Sequence, residues 1–400
     1  MRLLFLTSRL PYPPNRGDRL RVFHFIRRLS SQHEIHLVSF ISQISEGQHI
    51  SKLKEYCQEI HTLHGSATQS ALTVGFNFWR KQPLQTLYYR STKMQAMVDQ
   101  VIERVNFDAI YVHLFRMAPY VSAYDDLYRI VDLTDVISQE LIRSMPYRGM
   151  GSRLLYALER PRIERYERFV ATHFEETWLI SEHDRAVLAA DCPDANIQVV
   201  RNGVDTQMFF PTGEGEIPNS LIMVGHMGVF HNVDAAIFLA HDILPKVRAE
   251  IPDAHLKIVG AAPNPQVRAL ARNQGVEIMG YVPDLNTALN SSAVFVAPLR
   301  FGAGVQNKVL EAMAAGRPVV TSNLVNNGLG AQPDRDLLTA DTPEEFTTAI
   351  LKLLQDNSLR SQIGRTARQF VKDHYCWDLV AQRLEILQET LRKSRGNNST

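Results

Sequence analysis

Two glycines and a glutamate follow one another closely in the C-terminal half of the chain, as Gly302, Gly304 and Glu311. Glycines let backbone N–H groups approach an anion, and the N-terminus of a helix favours negative charge. A carboxylate about one turn into such a helix can accept hydrogen bonds from ribose hydroxyls, as acidic residues do in dinucleotide-binding folds. The spacing therefore indicates a nucleotide site, with Glu311 on the ribose.

The segments on either side of this cluster have the pattern of strands. An apolar run at residues 293–299 precedes the glycines, and a second one at 318–322 follows a helix-length segment. Short apolar, β-branched runs around a helix are typical of a βαβ unit in a parallel sheet. A dinucleotide fingerprint would need glycine where Asn307 stands, and the Gly-Lys-Ser/Thr of a P-loop is absent. A tight strand-to-helix turn without a ligand is the structural alternative.

Apolar runs and helix-length segments alternate along the rest of the chain, which predicts doubly wound α/β domains. Predicted strands are at residues 2–6, 34–40, 109–113, 128–132, 176–180, 221–225, 255–260 and 276–280. Predicted helices are at 20–30, 153–175, 233–249, 265–274, 342–355 and 357–374. Right-handed crossovers place the loops after the strands at one edge of each sheet, where ligands bind.

The length of 400 residues and the apolar content of 45% are enough for two domains, each with its own core. A Gly- and Pro-rich stretch after residue 205 predicts the break between them. We expect a first domain over residues 1–205, a linker over 206–219 and a second domain over 220–375. A helix over 376–392 and a disordered polar tail over 393–400 complete the chain.

Charge is distributed unevenly. Residues 1–100 contain 13 Lys or Arg against 6 Asp or Glu, although the net charge of the whole chain is +1. This excess indicates that the N-terminal half faces an anionic partner. The 3 cysteines lack metal-type spacing, which fits a reducing compartment. No apolar run approaches the roughly 20 residues that span a bilayer, and the N-terminus has the pattern of a strand rather than a signal peptide, so we expect a cytoplasmic protein.

Aromatic and basic residues are interleaved at residues 76–90, which include Phe76, Trp79, Arg80 and Arg90. This composition suits a membrane interface. It suits an acceptor-binding surface or an ordinary half-buried helix pair as well. In the first case the protein contacts the inner face of the membrane peripherally, and its acceptor would be a lipid-linked oligosaccharide.

The segment around Glu311 resembles the C-terminal donor-binding motif of the family 4 retaining glycosyltransferases, with Ala-Met-Ala-Ala-Gly and Pro-Val-Val after the glutamate. Residues 202–205 and 221–225 are similar to that family as well. The resemblance implies the α/β GT-B fold, in which two Rossmann-like doubly wound parallel-sheet domains enclose a cleft and a C-terminal helix crosses back to the first domain. The Pro-Tyr-Pro-Pro opening and the Gly-Ala-Gly-x-x-x-Lys-Val-Leu-Glu pattern are most similar to bacterial sugar transferases associated with exosortase (PEP-CTERM) exopolysaccharide systems.

In that family two glutamates stand eight positions apart, the first near the donor sugar and the second on the ribose. Glu311 matches the second glutamate, whereas Ala303 stands at the first position. The resemblance therefore implies that residues 302–305, Val305 among them, hold the sugar or phosphate through glycines and backbone amides. Lys308 stands where the family often has proline and is expected near the diphosphate.

The loop that opens with Gly225 resembles the family's donor-phosphate loop, but its usual Arg/Lys pair is replaced by His226 and His231. Either histidine is a candidate hydrogen-bond donor to phosphate. Arg300 and Lys308 are other sources of positive charge. The structural alternative is a pair of exposed loop histidines, with Asn232 capping the following helix, and we favour the capping role for Asn232.

A basic loop follows the first strand of the first domain. Its family counterpart faces the donor across the cleft, which implies that Arg16, Gly17, Asp18 and Arg21 lie near the diphosphate or acceptor. For Asp18 alone, favourable interaction with the helix dipole explains the position equally well.

His113 ends a predicted strand, at a place where relatives often have a histidine that contacts the donor sugar or acceptor. A structural histidine is the alternative. We take His113, Asp18 and Lys308 as the candidate catalytic residues. Asp132 and Asp135 end the next strand and offer polar groups to the same cleft, with a plain turn as the alternative. Ser181 after strand 176–180 is explained by helix capping.

The expected reaction is retaining transfer of a hexose from a nucleotide-diphosphate sugar to an exopolysaccharide, lipid-linked or other cell-envelope glycan. GT-B enzymes bind their donor without an essential metal, and the Asp-x-Asp at Asp334 and Asp336 lies far along the chain from the donor helix. We therefore expect no metal, no cofactor beyond the nucleotide-sugar co-substrate, and no nucleic-acid partner. A nucleotide-sugar epimerase on the same fold and a non-catalytic nucleotide-sugar-binding protein are the alternatives.

Overall fold

The computed structural model of the protein describes residues 1–14, 17–213, 215–302, 305–377 and 380. Within them the chain divides into two compact units. The first comprises Met1–Arg201 and takes up the chain again at Val380, and the second comprises Asn202–Leu379. The helix expected over 376–392 and the tail over 393–400 lie almost wholly outside the described residues.

The first unit is built on a parallel sheet of seven strands in the order β3-β2-β1-β4-β5-β6-β7. Its strands are β1 Arg2–Thr7, β2 Glu34–Ile41, β3 Glu59–His64, β4 Ala109–His113, β5 Tyr128–Thr134, β6 Glu176–Leu179 and β7 Ile197–Val199. Its helices are α1 Gly17–Leu29, α2 Ile50–Leu53, α3 Ala67–Asn77, α4 Leu84–Tyr88, α5 Thr92–Arg104, α6 Ile137–Ser144, α7 Met150–His173 and α8 Glu182–Asp191. A 3-10 helix, Phe115–Tyr120, follows β4.

The second unit contains a parallel sheet of six strands in the order β10-β9-β8-β11-β12-β13. Its strands are β8 Ile217–Val224, β9 His255–Val259, β10 Val276–Gly280, β11 Ser292–Ala297, β12 Val319–Thr321 and β13 Leu338–Thr339. Its helices are α9 Phe230–Phe238, α10 Leu244–Glu250, α11 Pro265–Ala269, α12 Leu285–Asn290, α13 Asn307–Ala314, α14 Asn323–Leu329, α15 Pro343–Gln355 and α16 Asn357–His374.

The central strands of both sheets are continuous apolar runs because helices cover both faces. In β11 every residue is buried, and β1 and β2 are buried along nearly their whole length. Such burial on both faces is typical of parallel sheets connected by crossover helices. The doubly wound α/β architecture expected from the sequence is thereby confirmed in both units. Among the described residues, none of the helices combines the length and apolar character needed to cross a bilayer.

Two elements differ from the sequence expectation. The helix expected over 233–249 is interrupted by a π-turn, Leu239–Ile243, because Pro245 has no N–H to donate to the preceding turn. The edge strand β3 was not expected, since its residues are only half-buried and carry a weak apolar signal. The boundary between the units falls slightly before residue 205, because Val204 donates its N–H to the carbonyl of Tyr375 (2.7 Å) and so belongs with the second unit.

Candidate functional site

The strand order of the second unit defines where a ligand would bind. From β8 the chain moves outward through β9 and β10, and from the adjacent β11 it moves the other way through β12 and β13. The strands β8 and β11 are neighbours, and the loops that follow them lead in opposite directions along the sheet. In open α/β sheets, ligands bind in the crevice at this switch point, beyond the carboxyl ends of the strands.

The loop after β8 is held against the neighbouring strand by backbone contacts. Gly225 donates its N–H to the carbonyl of Val259 (3.0 Å), and Met227 donates to the carbonyl of Ala261 (2.9 Å). Gly260 has a φ of +148°, and a Cβ there would collide with the carbonyl oxygen of Gly225. Glycine is thus required where β8 and β9 end, and the loop is fixed closely to the sheet.

Asn232 has a different role from the helix cap expected for it. The N-cap of α9 is Val229, and the side-chain amide of Asn232 donates back to the carbonyl of His226 (3.2 Å). The Nδ1 atom of His226 lies 3.3 Å from the N–H of Gly228. The loop is therefore closed by its own polar groups, with His226 half-buried within it.

His231 and its neighbour connect the two loops at the switch point. The ring of His231 lies against Gly302, where a Cβ would be 3.4 Å from its Nδ1 atom, and Gly302 itself has a φ of +119°. The rings of Phe230 and Phe301 pack with their centroids 5.0 Å apart. The first turn of α9 and the glycine-rich loop after β11 are therefore adjacent, which brings the predicted residues His231 and Gly302 together.

Arg300 is committed to a partner within the same unit. Its guanidinium donates two hydrogen bonds to Asp234 (3.0 and 2.6 Å) and lies 4.8 Å from the ring centroid of Phe238. Bidentate geometry of this kind fixes the guanidinium in place. Arg300 therefore lies beside the two loops, but Asp234 balances its positive charge.

Glu311 and Lys308 form an ion pair in the first turns of α13. The Lys308 Nζ atom lies 2.9 and 2.8 Å from the two carboxylate oxygens of Glu311, as i,i+3 spacing on a helix allows. The side chain of Glu311 is 8% exposed, whereas that of Lys308 is 39% exposed. Burial raises the pKa of the Glu311 carboxyl, and the nearby Lys308 acts against this shift. Val305 is buried just before the helix, while Ala303 and Gly304 lie outside the described residues.

The first unit has its own switch point, between β1 and β4, and His113 is the last residue of β4. The side chain is buried, and within the described part of the chain its Nε2 atom has no hydrogen-bond partner. Burial lowers the pKa of His113 to about 4, although Asp132 and Asp18 act in the opposite direction. The imidazole is therefore neutral at physiological pH and can exchange a hydrogen bond with a hydroxyl group.

The backbone is strained at the ends of β4 and β5. Leu114 and Thr134 have φ values of 70° and 63°, in the left-handed region that side chains with a Cβ rarely occupy. Asp132 supports both conformations, because its carbonyl accepts the N–H of Leu114 (2.8 Å) and its Oδ1 atom accepts the N–H of Thr134 (3.1 Å). Strain of this kind is concentrated at functional sites. Nothing in the residue types of Leu114 and Thr134 predicts it.

The structure corrects the assignment of Arg21 to the acceptor or phosphate side. Its side chain is fully buried, its Nε atom donates to Asp132 Oδ2 (2.6 Å), and its Nη1 atom donates to the carbonyl of Val200 (2.7 Å). The hydroxyl of Tyr111 donates to the same carboxylate. Removing one partner from such a buried pair typically costs about 3–5 kcal/mol. Arg21 is therefore an internal residue of the first unit that holds α1 against β5.

The remaining candidates of the first loop lie at the start of α1. Gly17 begins the helix and is exposed, and Asp18 in its first turn accepts a hydrogen bond from Arg9 Nη1 (2.9 Å). This ion pair and the helix dipole account for the carboxylate without a ligand. Arg16 lies outside the described residues.

Four carboxyls in the segments after β5 and β6 have raised pKa values and were only partly expected from the sequence. Burial raises the pKa of Asp135 well above its usual range and that of Glu167 to about 7, and it also raises the pKa of Glu140 and Asp184. The hydroxyl of Ser181 accepts the N–H of Asp184 (3.1 Å), which confirms Ser181 as the cap of α8. Only the side chain at 135 was a candidate, because the others lie within helices whose burial a single sequence does not reveal.

Metal-ligating side chains are not gathered into a site in the described part of the chain, where no group of three or more His, Cys, Asp or Glu could hold an ion. Asp336 is buried and accepts the N–H of Gln332 (3.0 Å), and Asp334 occupies a turn with a φ of 61°. The pair at 334 and 336 therefore stabilises its own loop.

Comparison with known proteins adds to this geometry. Residues 218–356 match the family model of glycosyl transferases group 1, and this segment includes both loops at the second switch point together with α13. A protein of Klebsiella pneumoniae described as an uncharacterized 44.6 kDa protein in the cps region is 21% identical over 94% of this chain and 96% of its own length.

The phosphatidyl-myo-inositol mannosyltransferase of Mycolicibacterium smegmatis is 28% identical over 48% of this chain. The match spans 51% of that enzyme's length. The solved structure of sucrose-phosphate synthase from Thermosynechococcus elongatus superimposes with a TM-score of 0.72 at 13% identity, covering 98% of this chain and 100% of that one. This structural likeness shows that the two chains share the fold.

The two parallel-sheet units have the architecture of GT-B proteins. In the second unit, the glycine-rich loop and the Lys308–Glu311 pair lie within the segment that the family model matches. Residues 218–356 thus match the glycosyl transferases group 1 family, the two parallel-sheet units share the GT-B fold, and the similarity to the mannosyltransferase supports a nucleotide-sugar-dependent glycosyltransferase.

Proposed function

We propose that the protein transfers a hexose, with retention of anomeric configuration, to an exopolysaccharide, lipid-linked or other cell-envelope glycan. The observation that carries the proposal is the ion pair of Glu311 and Lys308 on α13, the helix that follows the glycine-rich loop after β11. The relative from the cps region of Klebsiella pneumoniae and the mannosyltransferase relative support an envelope glycan as acceptor. The resemblance to exosortase-associated transferases supports an exopolysaccharide among these.

Donor binding follows from the chemistry of the second switch point. The buried carboxylate of Glu311 accepts hydrogen bonds from the two ribose hydroxyls. Lys308, which is the more exposed partner of the pair, turns its ammonium group toward the diphosphate while remaining near Glu311. The backbone N–H groups at the start of α13, after Gly302, receive phosphate or sugar oxygens at the positive end of the helix dipole.

The proposed chemistry needs leaving-group stabilisation rather than a strong nucleophile. Glycosyl transfer proceeds through a state that resembles an oxocarbenium ion, while negative charge accumulates on the departing nucleoside diphosphate. Cations and N–H dipoles fixed near the phosphates lower the energy of that state. Lys308, His226 and His231 are the side chains we assign to this task, and the Asp234 ion pair makes Arg300 a positioning residue for α9.

We assign His113 to the donor sugar or the acceptor. Its neutral imidazole has an unused Nε2 atom within the described part of the first unit, so it can orient a sugar hydroxyl without adding charge. The strained turn at Leu114 fixes the end of β4 and hence the position of this side chain. No metal is assigned to the reaction.

Transfer by the purified full chain tests the proposal. The protein would be incubated with a panel of nucleotide sugars and a prenyl-diphosphate-linked saccharide, with and without a chelator. We expect one donor to be consumed with or without chelator, and proton NMR of the product to show the anomeric configuration of that donor. An inverted product would contradict retention, and formation of an epimer without acceptor would favour the epimerase. The relative from Mycolicibacterium smegmatis is described as a mannosyltransferase, so neither alternative function is favoured.

We further propose that the first unit contacts the inner face of the membrane from the cytoplasm. Large apolar side chains are exposed on α3, on the residues after it and on the N-terminal half of α7, and Arg162 of α7 donates to the carbonyl of Phe78 (2.8 Å), which links these segments. We call this surface the aromatic–basic face; its apolar members are Leu72, Phe76, Phe78, Trp79, Met150, Leu154 and Leu158, and its basic members are Arg80, Lys81, Arg153 and Arg160. Apolar groups beside cations suit a bilayer that contains anionic lipid.

Flotation with lipid vesicles tests this contact. We expect the wild-type chain to float with vesicles of phosphatidylcholine and phosphatidylglycerol, and much less with phosphatidylcholine alone. Trp79→Ser with Leu158→Ser should weaken the partition by about tenfold or more, because two large side chains no longer enter the interface. Tyr281→Ser removes an exposed aromatic ring from the second unit and should float like the wild type. Equal flotation of all three proteins would exclude the face as the point of contact.

A further inference from the structure

A cavity of about 300 Å³ lies in the first unit, and Arg80 of the aromatic–basic face is one of its lining residues. Three arginines and three hydroxyl-bearing residues are prominent in its lining: Arg80, Arg90, Arg116, Thr86, Ser91 and Thr92. Small-ligand sites typically occupy about 300–1,000 Å³, so the cavity has room for one phosphorylated group. No element of the donor motif contributes to it, since all lining residues belong to α4, α5, the 3-10 helix after β4 or the segments that adjoin them.

The cavity lies at the functional edge of the sheet. Arg116 and Tyr120 belong to the 3-10 helix that directly follows β4, the strand that ends in His113. Arg116 is near enough to His113 to act on it electrostatically. A group bound in the cavity would therefore lie beside the switch point of the first unit, where ligands of such sheets bind.

The positive charges of Arg80 and Arg90 are not balanced by the residues that line the cavity. No carboxylate is among the residues that line it, and within the described residues neither Arg80 nor Arg90 forms an ion pair. Arg116 donates from its Nη1 atom to the neutral amide oxygen of Gln85 (3.2 Å) and lies 5.2 Å from the ring centroid of Tyr89. Guanidinium groups brought together without a carboxylate repel one another unless an anion is bound between them, and arginine matches the geometry of phosphate.

A second observation also points to a ligand. Thr86 is only 4% exposed, and its Oγ1 atom has no hydrogen-bond partner within the described residues. Buried hydroxyls are nearly always hydrogen-bonded, so this atom marks a missing partner. Ser91 is the N-cap of α5, a helix of 13 residues whose positive dipole end is directed at the cavity lining around Thr92.

The surroundings identify the kind of molecule that bears the phosphate. Trp79, which directly precedes Arg80, is 65% exposed, and Phe78 beside it is 58% exposed. Both belong to the aromatic–basic face, so the cavity adjoins the surface that we assign to the bilayer. A ligand that enters here would place its phosphate on the arginines and a hydrocarbon chain on the exposed rings.

We propose that this cavity binds the phosphate or diphosphate group of a lipid-linked acceptor, which rests on the proposed function as a transferase to such acceptors. The excess of basic residues in the first 100 positions, 13 Lys or Arg against 6 Asp or Glu, agrees with an anionic partner for this unit.

Calorimetric titration of the full chain with farnesyl diphosphate and with inorganic pyrophosphate tests the assignment. We expect farnesyl diphosphate to bind more tightly than pyrophosphate. The double variant Arg80→Gln/Arg90→Gln should weaken binding of farnesyl diphosphate by about tenfold or more, since two of the three guanidinium groups are lost. Both side chains are exposed, so the fold should persist. The matched control is Arg168→Gln/Arg185→Gln, which removes two exposed arginines elsewhere in the same unit and should titrate like the wild type.

Each outcome decides a separate point. Unchanged binding of farnesyl diphosphate by the double variant would overturn the site, and equal affinity of the wild type for the two probes would overturn the assignment to a lipid-linked molecule. Binding of a nucleotide sugar is measured in parallel on every protein. If the wild type binds no nucleotide sugar, the proposed function is wrong, whether or not the cavity binds farnesyl diphosphate. If the double variant binds the nucleotide sugar normally, any loss of affinity for farnesyl diphosphate is due to the cavity alone.

Discussion

Replacement of Glu311 by alanine should weaken binding of the nucleotide-sugar donor by about 10- to 100-fold. Hydrogen bonds to a charged group contribute about 1.5–3 kcal/mol, and every 1.4 kcal/mol changes affinity tenfold. The carboxylate of Glu311 is buried in the first turns of α13. Calorimetric titration with a panel of nucleoside diphosphates and nucleotide sugars measures the effect and identifies the base.

Two further variants make this result specific. Glu344→Ala removes an exposed glutamate of the same unit, one that pairs with Lys246 at 3.0 Å, and should bind donor like the wild type. Lys308→Ala leaves Glu311 in place without its cation. If the ammonium group faces the phosphates, this change should weaken the binding of nucleoside diphosphates more than the binding of the corresponding nucleoside. Unchanged donor affinity in Glu311→Ala, with an unchanged melting temperature, would refute the ribose assignment.

Stability of the first unit should fall as the pH is lowered from 6.5 to about 4, and His113 is the residue to which we attribute much of this loss. The unfolded histidine takes up a proton near pH 6.5, whereas the pKa of the buried residue is lowered to about 4. Between these values the unfolded state binds more protons, so the free energy of unfolding decreases as the pH falls. The contribution present above pH 6.5 and lost by pH 4.5 is about 2–3 kcal/mol, at 1.36 kcal/mol per pKa unit.

The pH dependence is measured by comparing the wild type with His113→Gln. Urea denaturation at pH 7.5 and 4.5 can be followed by tryptophan fluorescence, to which Trp178, buried beside Asp132 in the sheet, contributes. The free energy of unfolding should decrease by about 2–3 kcal/mol more in the wild type than in the variant between pH 7.5 and pH 4.5. The exposed His64 supplies the control, since His64→Gln should follow the wild type. Equal losses of unfolding free energy in the wild type and in His113→Gln would show that the pKa of this histidine is not lowered in the folded chain.

The comparison between variants is needed because other groups titrate in the same range. The charged groups that act on His113 are Asp132, Asp18, Arg21 and Arg116. Burial raises the pKa of Glu167 to about 7, so its contribution has the opposite sign: it is present at low pH and is lost as the pH rises toward 7. The difference between His113→Gln and the wild type isolates the histidine from this opposing effect.

The helix that carries Lys308 and Glu311 could be predicted from the sequence because its pattern is local. Lys308 and Glu311 are three residues apart on one helix, so their ion pair follows from helical spacing alone. The central strand β4 was predicted with its observed bounds, since a buried strand leaves a continuous apolar run in the sequence. The edge strand β3 and the π-turn before Pro245 leave no such pattern and were missed.

Long-range contacts decided the roles of the arginines. Arg21 stands in a basic loop-to-helix segment and was assigned to a ligand, yet its partner is Asp132, 111 positions away. Arg300 is occupied by Asp234, 66 positions away. A charged residue that will be buried and one that will meet a ligand look alike in a single sequence, because only the fold determines which carboxylate comes within hydrogen-bonding distance.

Two features follow from the sequence alone: the doubly wound α/β units, and the glycine-rich loop that precedes the helix with Lys308 and Glu311. These are features of local periodicity and spacing, which hydrogen bonds within a helix and apolar burial of a strand translate directly into structure. Three other features depend on how the chain packs: Arg21 is internal, burial lowers the pKa of His113, and Arg80, Arg90 and Arg116 line one cavity. Burial and convergence of charge depend on which distant segments pack together, and that is a property of the whole fold.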